Sequence, residues 1–410
     1  MILDWCQHMK TKTYLITIAF FAFIGCKMPL SRNISDIEAF NAAIYKTSAG
    51  DTVFLSAGTF KNWEATINVS GTNDNPVVIS GSDEAPTVFS DTVTENPFFR
   101  IRGDNIELTR IEFSNTAFQK PIIVLDSCFN SSISNCTFKD NTAIKQFNHM
   151  VSVSGNGSNN QIVNCTFDNI ANGQLVSVRI GEVYPTGTLI AHNTFMNIPR
   201  NKYGNGAESV QVGQDAVNYG IAKPGVIVQE NKFIRCNGES EIISNKASGN
   251  IYRNNRFENF EGAIVMRGGH ECKISGNTFQ GGSIGIRLSG TRHQIHNNEI
   301  NNTEVGILLL YGTGVEYEPA FYTAVSNCVI EDNIIYDPKK CGIKIGDNKG
   351  ATRPLNNVGK HAMLDSVLRH IYPPVNNKFI SNTITAEHGK HIIIDDAPDN
   401  IIENNILKEL

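Results

Sequence analysis

The sequence predicts an all-β fold, a single-stranded right-handed parallel β-helix with an N-terminal capping helix. The phrase Asn-x-Phe or Asn-x-Ile recurs along the chain, and several steps are 21 to 24 residues long, as from Phe233 to Phe257, Phe279 and Ile300. Short stretches of alternating apolar residues precede each phrase, which is typical of strands. Helical periodicity is nearly absent. A repeat of this length made of short strands indicates a solenoid.

The recurring Asn and the aromatic or aliphatic residue after it have separate structural roles in this prediction. Asn tolerates left-handed backbone angles and therefore suits the corners of a coil. We expect equivalent Asn side chains of stacked coils to bond one another in ladders, while Phe and Ile fill the interior. A leucine-rich repeat fits less well because its Leu pattern is missing, and a β-sandwich has no fixed period.

Two irregular features modify the repeat. The one predicted helix, Ile34–Thr47, is interpreted as a cap over the first coil, because the ends of a solenoid need covering. The steps between Phe195 and Phe233 and between Ile300 and Ile384 are long, which indicates inserted loops. Loops on one face of a solenoid usually form its binding surface.

Residues 1–25 are predicted to be a lipoprotein signal peptide, with Met9 as an alternative start. A short basic segment precedes an apolar run from Tyr14 to Gly25, which is shorter than the roughly 20 residues that span a bilayer. The run ends Phe-Ile-Gly-Cys, which resembles a bacterial lipoprotein signal with Cys26 as the lipidated residue. An ordinary cleaved signal or a buried helix are the alternatives. We expect an exported protein, on the cell surface or facing the periplasm, with residues 26–410 as one β-helix domain.

The charge of the chain limits its partners. The formal net charge is −5, and Asp4, Lys10 and Lys12 of the leader together contribute +1, so the exported part carries −6. An acidic protein is a poor general binder of nucleic acid, so we expect no such partner. A polyanionic ligand would need cations concentrated locally, as side chains or as a bound metal.

The nine cysteines show no C-x-x-C spacing, so neither a metal finger nor a disulfide scaffold is indicated. Cys136 and Cys165 occupy equivalent repeat positions in the phrase Asn-Cys-Thr-Phe. They are predicted to be small buried residues.

Consecutive coils carry charged residues at matching positions. Glu239 and Glu241 are two apart and, on a strand, would face the same side. Their carboxylates would repel each other unless a cation lay between them, and such oxygen ligands suit Ca²⁺. Lys246 and Arg267 are 21 residues apart, about one coil, and should lie on neighbouring coils of one face. A Glu pair alone is more often a solvated surface.

These phrases together resemble polysaccharide lyase family 6, which holds alginate lyases and chondroitinase B. The resemblance runs from about Asp36 to the C-terminus. The segments starting at Ala49 and Gly71 are similar to the family's opening coils, and Asn205-Gly-Ala-Glu is similar to its Asn-Gly-Gly-Glu. Glu-Ser-Glu followed five residues later by Lys246 matches its metal and base motif, and Arg267 falls where its catalytic Arg falls.

The resemblance implies a Ca²⁺-assisted β-elimination that cuts an acidic polysaccharide into unsaturated oligosaccharides. Glu239, Glu241 and an Asn would hold the ion; Asn205 is the first choice, and Asn201 lies in the same loop. Lys246 would act as base, and Arg267 would stabilise the developing charge. The expected substrate is alginate, with dermatan or chondroitin sulfate second.

Three further residues are candidates for substrate binding. In the family His follows the catalytic Arg directly, whereas here two glycines separate Arg267 from His270. Arg287, in the next coil, would hold another uronate, or it is simply an exposed strand residue. Tyr311 would stack on a sugar, although a packed core Tyr fits equally well.

Two other kinds of protein fit these residues less well than a lyase. A non-catalytic surface glycan-binding β-helix would have basic residues spread along a groove, without a base beside a metal. A hydrolase would need clustered carboxylates. The pair Asp395-Asp396 has no third Asp at a matching coil position, so a hydrolase is disfavoured.

Overall fold

The computed structural model describes residues 31–214, 220–315, 322–354 and 367–410. The predicted parallel β-helix is confirmed: the strands of successive coils pair in parallel along the described chain. The leader with Cys26 lies outside the described residues. Among the residues that are described, no helix is long and apolar enough to cross a membrane.

Three strand faces make up each coil, and two long strands belong to both the second and the third face. The first face contains Ser31–Ile34, Thr52–Leu55, Val77–Ser80, Ile106–Thr109, Ser132–Ser134, Gln161–Val163, Leu189–Ala191, Ile227–Gln229, Ile251–Arg253, Lys273–Ser275, Gln294–His296, Val329–Glu331, Lys378–Ile380 and Ile401–Glu403. The second face contains Ala65–Ile67, Phe99–Ile101, Ile123–Asp126, His149–Ser154, Gln174–Val178, Val210–Val212, Ile243–Asn245, Ile264–Met266, Thr278–Leu288, Glu299–Leu310, Cys341–Asp347 and Lys390–Ile394. The third face contains Gly58–Phe60, Thr87–Phe89, Glu112–Ser114, Thr137–Lys139, Thr166–Asp168, Thr194–Ile198, Lys232–Cys236, Arg256–Phe260, Thr278–Leu288, Glu299–Leu310, Ile334–Tyr336, Thr383–Ala386 and Ile406–Glu409.

Short additional strands decorate the coils. Val93–Thr94, Ala117–Phe118 and Thr142–Ala143 form a small parallel sheet at one corner. Thr352–Pro354 and Val367–Arg369 pair antiparallel within the long insertion between Ile300 and Ile384. These pieces lie beside the coils and leave the parallel register of the three faces intact.

The capping helix spans Ile37–Lys46, slightly shorter than the predicted range. Asp36 is its N-cap, and the Asp36 side chain accepts a hydrogen bond of 2.8 Å from the Ala39 amide. An Asp at this position satisfies an N–H that the helix cannot pair internally, which explains why the helix begins there. Phe40 and Ile44 are buried, so the helix covers the interior of the first coil, as expected.

Columns of identical side chains run through the interior. Neighbouring Phe rings are stacked with centroids 4.6 to 4.9 Å apart, in the order Phe138, Phe167, Phe195, Phe233, Phe257 and Phe279. A parallel column of buried Asn is joined by side-chain amide bonds of 2.9 to 3.0 Å, in the order Asn193, Asn231, Asn255, Asn277, Asn298, Asn333, Asn382 and Asn405. The predicted ladder is confirmed.

The residue before each ladder Asn turns the corner. Asn254, Asn297 and Asn404 have φ of 55°, 55° and 56°, in the left-handed region that the sequence predicts for this phrase. Other residues also take this conformation before a ladder Asn, among them Asp332 and Ser381. The first Asn of the phrase therefore bends the chain, and the second one bonds the next coil.

Replacement of one ladder Asn should destabilise the fold measurably. Asn255→Ala would remove the bond to the Val228 carbonyl. It would also leave one N–H of the buried Asn231 side-chain amide without its acceptor, the Asn255 side-chain oxygen. An unsatisfied buried polar group costs about 1–3 kcal/mol, so the midpoint of thermal unfolding should fall. Asn405→Ala, at the half-buried end of the column, is the matched control and should have the smaller effect. Equal midpoints for Asn255→Ala and the unmodified protein would contradict the role of the ladder.

The seven cysteines within the described residues are buried and free. Cys136 and Cys165 are each 1% exposed, as predicted from their repeat positions. They are therefore packing residues of the interior.

Candidate active site

The predicted charged residues meet on the second face. Asn245 pairs in register with Met266, so the residues that follow them, Lys246 and Arg267, occupy equivalent positions on neighbouring coils. Arg287 lies one coil further, in register with Val265. The expectation that Lys246 and Arg267 share a face is confirmed.

Glu241 is the anionic centre of this cluster. Its Oε1 accepts a hydrogen bond of 2.7 Å from Arg287 and lies 3.7 Å from Nη1 of Arg267, and its Oε2 accepts one of 2.6 Å from the Ser244 hydroxyl. Burial alone would raise the pKa of Glu241, but the charges of Arg267, Arg287 and Lys246 outweigh it and lower the pKa to about 2. Glu241 is therefore a carboxylate at any ordinary pH.

Glu239 has a different environment. It accepts hydrogen bonds of 3.1 Å from the amides of Gly206 and Ala207 in the preceding coil. Burial, together with the nearby carboxylates of Glu208 and Glu241, raises the pKa of Glu239 to about 9. Glu239 is thus the carboxyl group of this site that keeps its proton at neutral pH when no cation is bound.

The prediction that Glu239 and Glu241 lie on a strand is wrong. The strand of this coil is Ile243–Asn245, and both Glu239 and Glu241 lie in the bend before it. They are neighbours because the chain turns the corner here, so alternation along a strand is not the cause. Their side chains nevertheless belong to one cluster, as the influence of Glu241 on the pKa of Glu239 indicates.

Lys246 is buried beside a third carboxylate. Its side chain is 7% exposed, and Nζ lies 3.9 Å from Oε1 of Glu208. Glu208 is itself fixed by hydrogen bonds of 2.9 Å from the side-chain amides of Gln174 and Gln211. Burial lowers the pKa of Lys246, and the charge of Arg267 adds to the effect, while Glu208 opposes it. A buried lysine of lowered pKa can lose its proton and act as a base.

Arg267 is positioned by an aromatic ring as well as by Glu241. Its guanidinium lies 5.4 Å from the centroid of Tyr322, which is 3% exposed. Such a contact favours the cation and limits its movement. Arg287 turns its guanidinium to Glu241, so it joins the cluster instead of pointing away as an exposed strand residue.

The loop before the cluster contains both Asn residues considered as metal ligands. The amide of Asn201 is used inside the loop: its nitrogen donates to the Asn205 carbonyl at 2.7 Å, and its oxygen accepts from the Tyr203 amide at 3.0 Å. This arrangement favours Asn205 over Asn201 as the amide ligand. Carboxylate and amide oxygens suit Ca²⁺, so Glu239, Glu241 and Asn205 are the residues that could hold it.

Within the described parts of the chain, no group of three or more His, Cys, Asp or Glu side chains is arranged to hold a metal ion. The candidate ligands Glu239, Glu241 and Asn205 supply two carboxylates and one amide, so they do not form a group of that kind. The raised pKa of Glu239 is the observation that fits a cation here, because a positive ion would offset the charges of Glu208 and Glu241 that raise it. Glu241, by contrast, already has the two guanidinium groups as partners.

The remaining two predicted residues behave differently. Tyr311 is 1% exposed, and its hydroxyl donates to backbone carbonyls of Asp395 and Asp396, so the prediction that it stacks on a sugar is wrong. The His270 ring lies beside Thr291, with Nδ1 2.9 Å from the Thr291 hydroxyl. Its predicted contact with substrate stays a prediction.

Sequence reasoning missed two residues of the cluster. Glu208 ends the phrase Asn205-Gly-Ala-Glu, and its place opposite Glu241 follows from the register of Val210 with Ile243. That signal was present in the coil spacing. Tyr322 comes from the long insertion after Glu299–Leu310, where no repeat fixes the position of a residue.

The arrangement brings together what a proton abstraction beside an anionic group needs. Lys246 is a buried amine of lowered pKa, the guanidinium groups of Arg267 and Arg287 lie beside Glu241 of the same cluster, and Glu239 is a candidate ligand for a cation. Basic residues spread along a groove, as a simple binding protein would have, are not what this cluster shows.

Comparison with known proteins identifies the family and the fold of the chain. The profile of the family described as chondroitinase B matches residues 34–408. A search of curated proteins found no match. Among solved structures, a PL6 family polysaccharide lyase from Pseudopedobacter saltans is 20% identical over 92% of each chain, with a TM-score of 0.76.

Two further solved structures are similar. A mannuronic acid specific family 6 lyase from human gut microbiota is 22% identical, over 89% of this chain and 83% of that one, with a TM-score of 0.73. The PL6 family alginate lyase AlyGC is 21% identical, over 92% of this chain and 51% of that one, with a TM-score of 0.74. These likenesses show the shared fold, and the profile match, which spans nearly the whole chain, shows the family. The chain therefore belongs to the chondroitinase B family, polysaccharide lyase family 6.

Proposed function

We propose that this polysaccharide lyase acts on alginate by a Ca²⁺-assisted β-elimination. The observation that carries the proposal is the buried Lys246, whose pKa is lowered and whose Nζ lies 3.9 Å from Oε1 of Glu208. Alginate is the first choice because two of the similar structures are alginate lyases and a third is a mannuronic acid specific family 6 lyase.

In the proposed reaction Lys246 accepts the proton from C5 of the uronate. The electron pair left on C5 forms a double bond to C4, and the bond from C4 to the glycosidic oxygen breaks. The leaving oxygen takes up a proton from solvent, the Lys246 ammonium returns its proton to solvent, and the new chain end is an unsaturated uronide. Lys246 suits the first step because its burial disfavours the charged ammonium and so provides a free amine.

The other residues of the cluster stabilise the negative charge of the substrate. Arg267 faces the carboxylate end of the reacting sugar and stabilises the negative charge that develops there. Glu239, Glu241 and Asn205 are the proposed ligands of Ca²⁺. When bound, the ion would neutralise the uronate carboxylate and make the C5 proton more acidic. Arg287, held by Glu241, is placed to bind a second uronate if it turns outward.

Dermatan or chondroitin sulfate is the second candidate substrate, because the matching family profile is named for chondroitinase B. The two substrates are distinguished by following the ultraviolet absorbance of the unsaturated product with each polymer in turn. A rise that EDTA stops supports a metal-dependent lyase and identifies the polymer. A folded protein that gives no rise with either polymer, with Ca²⁺ present, contradicts the proposed substrates.

We also propose that the enzyme is exported and anchored to the bacterial envelope by a lipid on Cys26. The support is the apolar run that ends Phe-Ile-Gly-Cys at this residue. Cys26→Ser should release the protein from the membrane fraction into the soluble fraction, because a thioether-linked lipid cannot form. Cys128→Ser, at a buried cysteine of the interior, is the matched control and should stay with the membranes. Unchanged membrane association of Cys26→Ser would contradict the anchor.

A further inference from the structure

We propose that Phe147 is a sugar-stacking platform, part of a subsite that binds another uronate residue of the polysaccharide beside the reacting one. The proposal rests on the proposed function, because it takes the polysaccharide as the ligand. It supplies the aromatic contact that Tyr311, being buried, does not provide.

Phe147 is held in an exposed and strained position. Its side chain is 51% exposed, although burial of an aromatic ring of this size is normally favourable. Its φ is 63°, in the left-handed region that a bulky residue rarely adopts. Strain of this kind persists where the surrounding structure fixes it, and it is concentrated at functional sites.

Contacts with the next loop fix the turn that carries Phe147. The Tyr203 hydroxyl donates to the Ile144 carbonyl at 2.6 Å, and the Gln146 side chain donates to the Asn205 carbonyl at 3.2 Å. Gly206 packs against the ring itself: a Cβ there would come within 2.8 Å of Cδ1 of Phe147. The platform is therefore built jointly by two loops, and a glycine is required at their closest approach.

The platform adjoins the catalytic cluster through the same glycine. The Gly206 amide that passes beside Phe147 donates to Oε1 of Glu239 at 3.1 Å. Gln174 makes a second connection. Its backbone amide donates to the carbonyl of Asn148 at 2.9 Å, and its side-chain amide donates to Glu208. The turn that carries the exposed ring thus lies two coils before Glu208 and three coils before Glu241, at the same corner of the coils.

Two lysines give this corner the charge that a uronate needs. Lys145 and Lys202 are exposed in the two loops that build the platform, within a chain whose formal net charge is −5. Nζ of Lys202 lies 4.9 Å from the centroid of Tyr203, which orders both side chains. An exposed apolar ring in loops that carry two lysines is complementary to a sugar that has an apolar face and a carboxylate.

Binding to an inactive protein tests the platform. In the Lys246→Ala background with Ca²⁺ present, the affinity for a saturated alginate hexasaccharide is measured by titration calorimetry. Addition of Phe147→Ala should weaken binding about tenfold, the size expected for loss of one well-packed aromatic contact. Phe147→Tyr, which keeps the ring, should restore most of the affinity. Tyr45→Ala, at an 88% exposed ring on the capping helix, is the matched control.

The outcomes separate this inference from the proposed function. If Phe147→Ala binds as tightly as the Tyr45→Ala control, the platform is overturned. If Phe147→Tyr binds as weakly as Phe147→Ala, the shape of the loop matters and the aromatic ring does not, which also overturns it. Failure of the proposed function appears elsewhere, as the absence of unsaturated product from the unmodified enzyme. If dermatan sulfate is the polymer cleaved, its hexasaccharide is the probe.

Discussion

Lys246→Ala should abolish turnover of the polysaccharide while the β-helix stays folded. The substitution removes the amine that accepts the C5 proton, and a general base typically contributes about 10²–10⁴ in rate. Glu208 keeps its two amide donors from Gln174 and Gln211, so the carboxylate left behind is not without partners. We expect kcat, measured from the absorbance of the unsaturated product, to fall by about a thousandfold or more.

Two further variants sharpen this test. Lys246→Arg keeps a positive charge but cannot lose its proton at ordinary pH, so it should be as inactive as the Ala variant. Lys232→Ala, at an exposed strand position of the third face, should retain full activity. Activity in Lys246→Arg would show that a fixed positive charge suffices, and the assignment of Lys246 as base would be wrong.

Replacement of Glu239 and Glu241 together by Ala should remove activity and calcium dependence at once. These residues are the proposed carboxylate ligands, and Glu241 also holds Arg267 and Arg287 in the cluster. Activity of the unmodified enzyme should be lost on chelation and return with Ca²⁺, whereas the double variant should respond to neither. If chelators leave the unmodified enzyme unaffected, the metal assignment is wrong.

The proton on Glu239 gives this prediction a second readout. Because the pKa of Glu239 is about 9 without a cation, its carboxyl group is protonated at neutral pH, and a cation must displace that proton. Binding should therefore release a proton, and the affinity for Ca²⁺ should rise with pH up to about 9. Calorimetry in buffers of different ionisation enthalpy measures the release. The matched control replaces two surface glutamates, Glu299→Ala with Glu304→Ala. It should release as many protons on binding Ca²⁺ as the unmodified protein.

The parts of the fold that repeat were predictable from the sequence. Asn254 and Asn255 illustrate why: one bends the chain and the next bonds the adjacent coil, so a two-residue phrase specifies both the corner and the stacking. Since stacked coils keep a constant register, the spacing of Lys246 and Arg267 also predicted that they share a face. The repeat period therefore predicted the fold and also the relative positions of two residues of the site.

Residues outside the strands were not predictable in the same way. Glu239 and Glu241 lie in a bend, where alternation does not apply, and Tyr322 comes from an insertion of irregular length. Tyr311 follows a long strand directly, and its orientation depends on backbone carbonyls more than 80 residues later in the chain. In these cases the side-chain position is set by long-range contacts that no local pattern records.

The columns of Phe and Asn have a consequence for how this enzyme can change over time. Within these columns each coil bonds the coils above and below it, so a longer corner loop leaves the columns of the other coils in place. Mutation can therefore lengthen or replace the loops that carry Phe147 or Tyr322 while the inner columns keep Lys246 and Arg267 at a fixed separation. The residues that carry out the reaction and the loops that select the substrate thus lie in different parts of the coil. Substrate selection can therefore change during evolution while the reaction is kept.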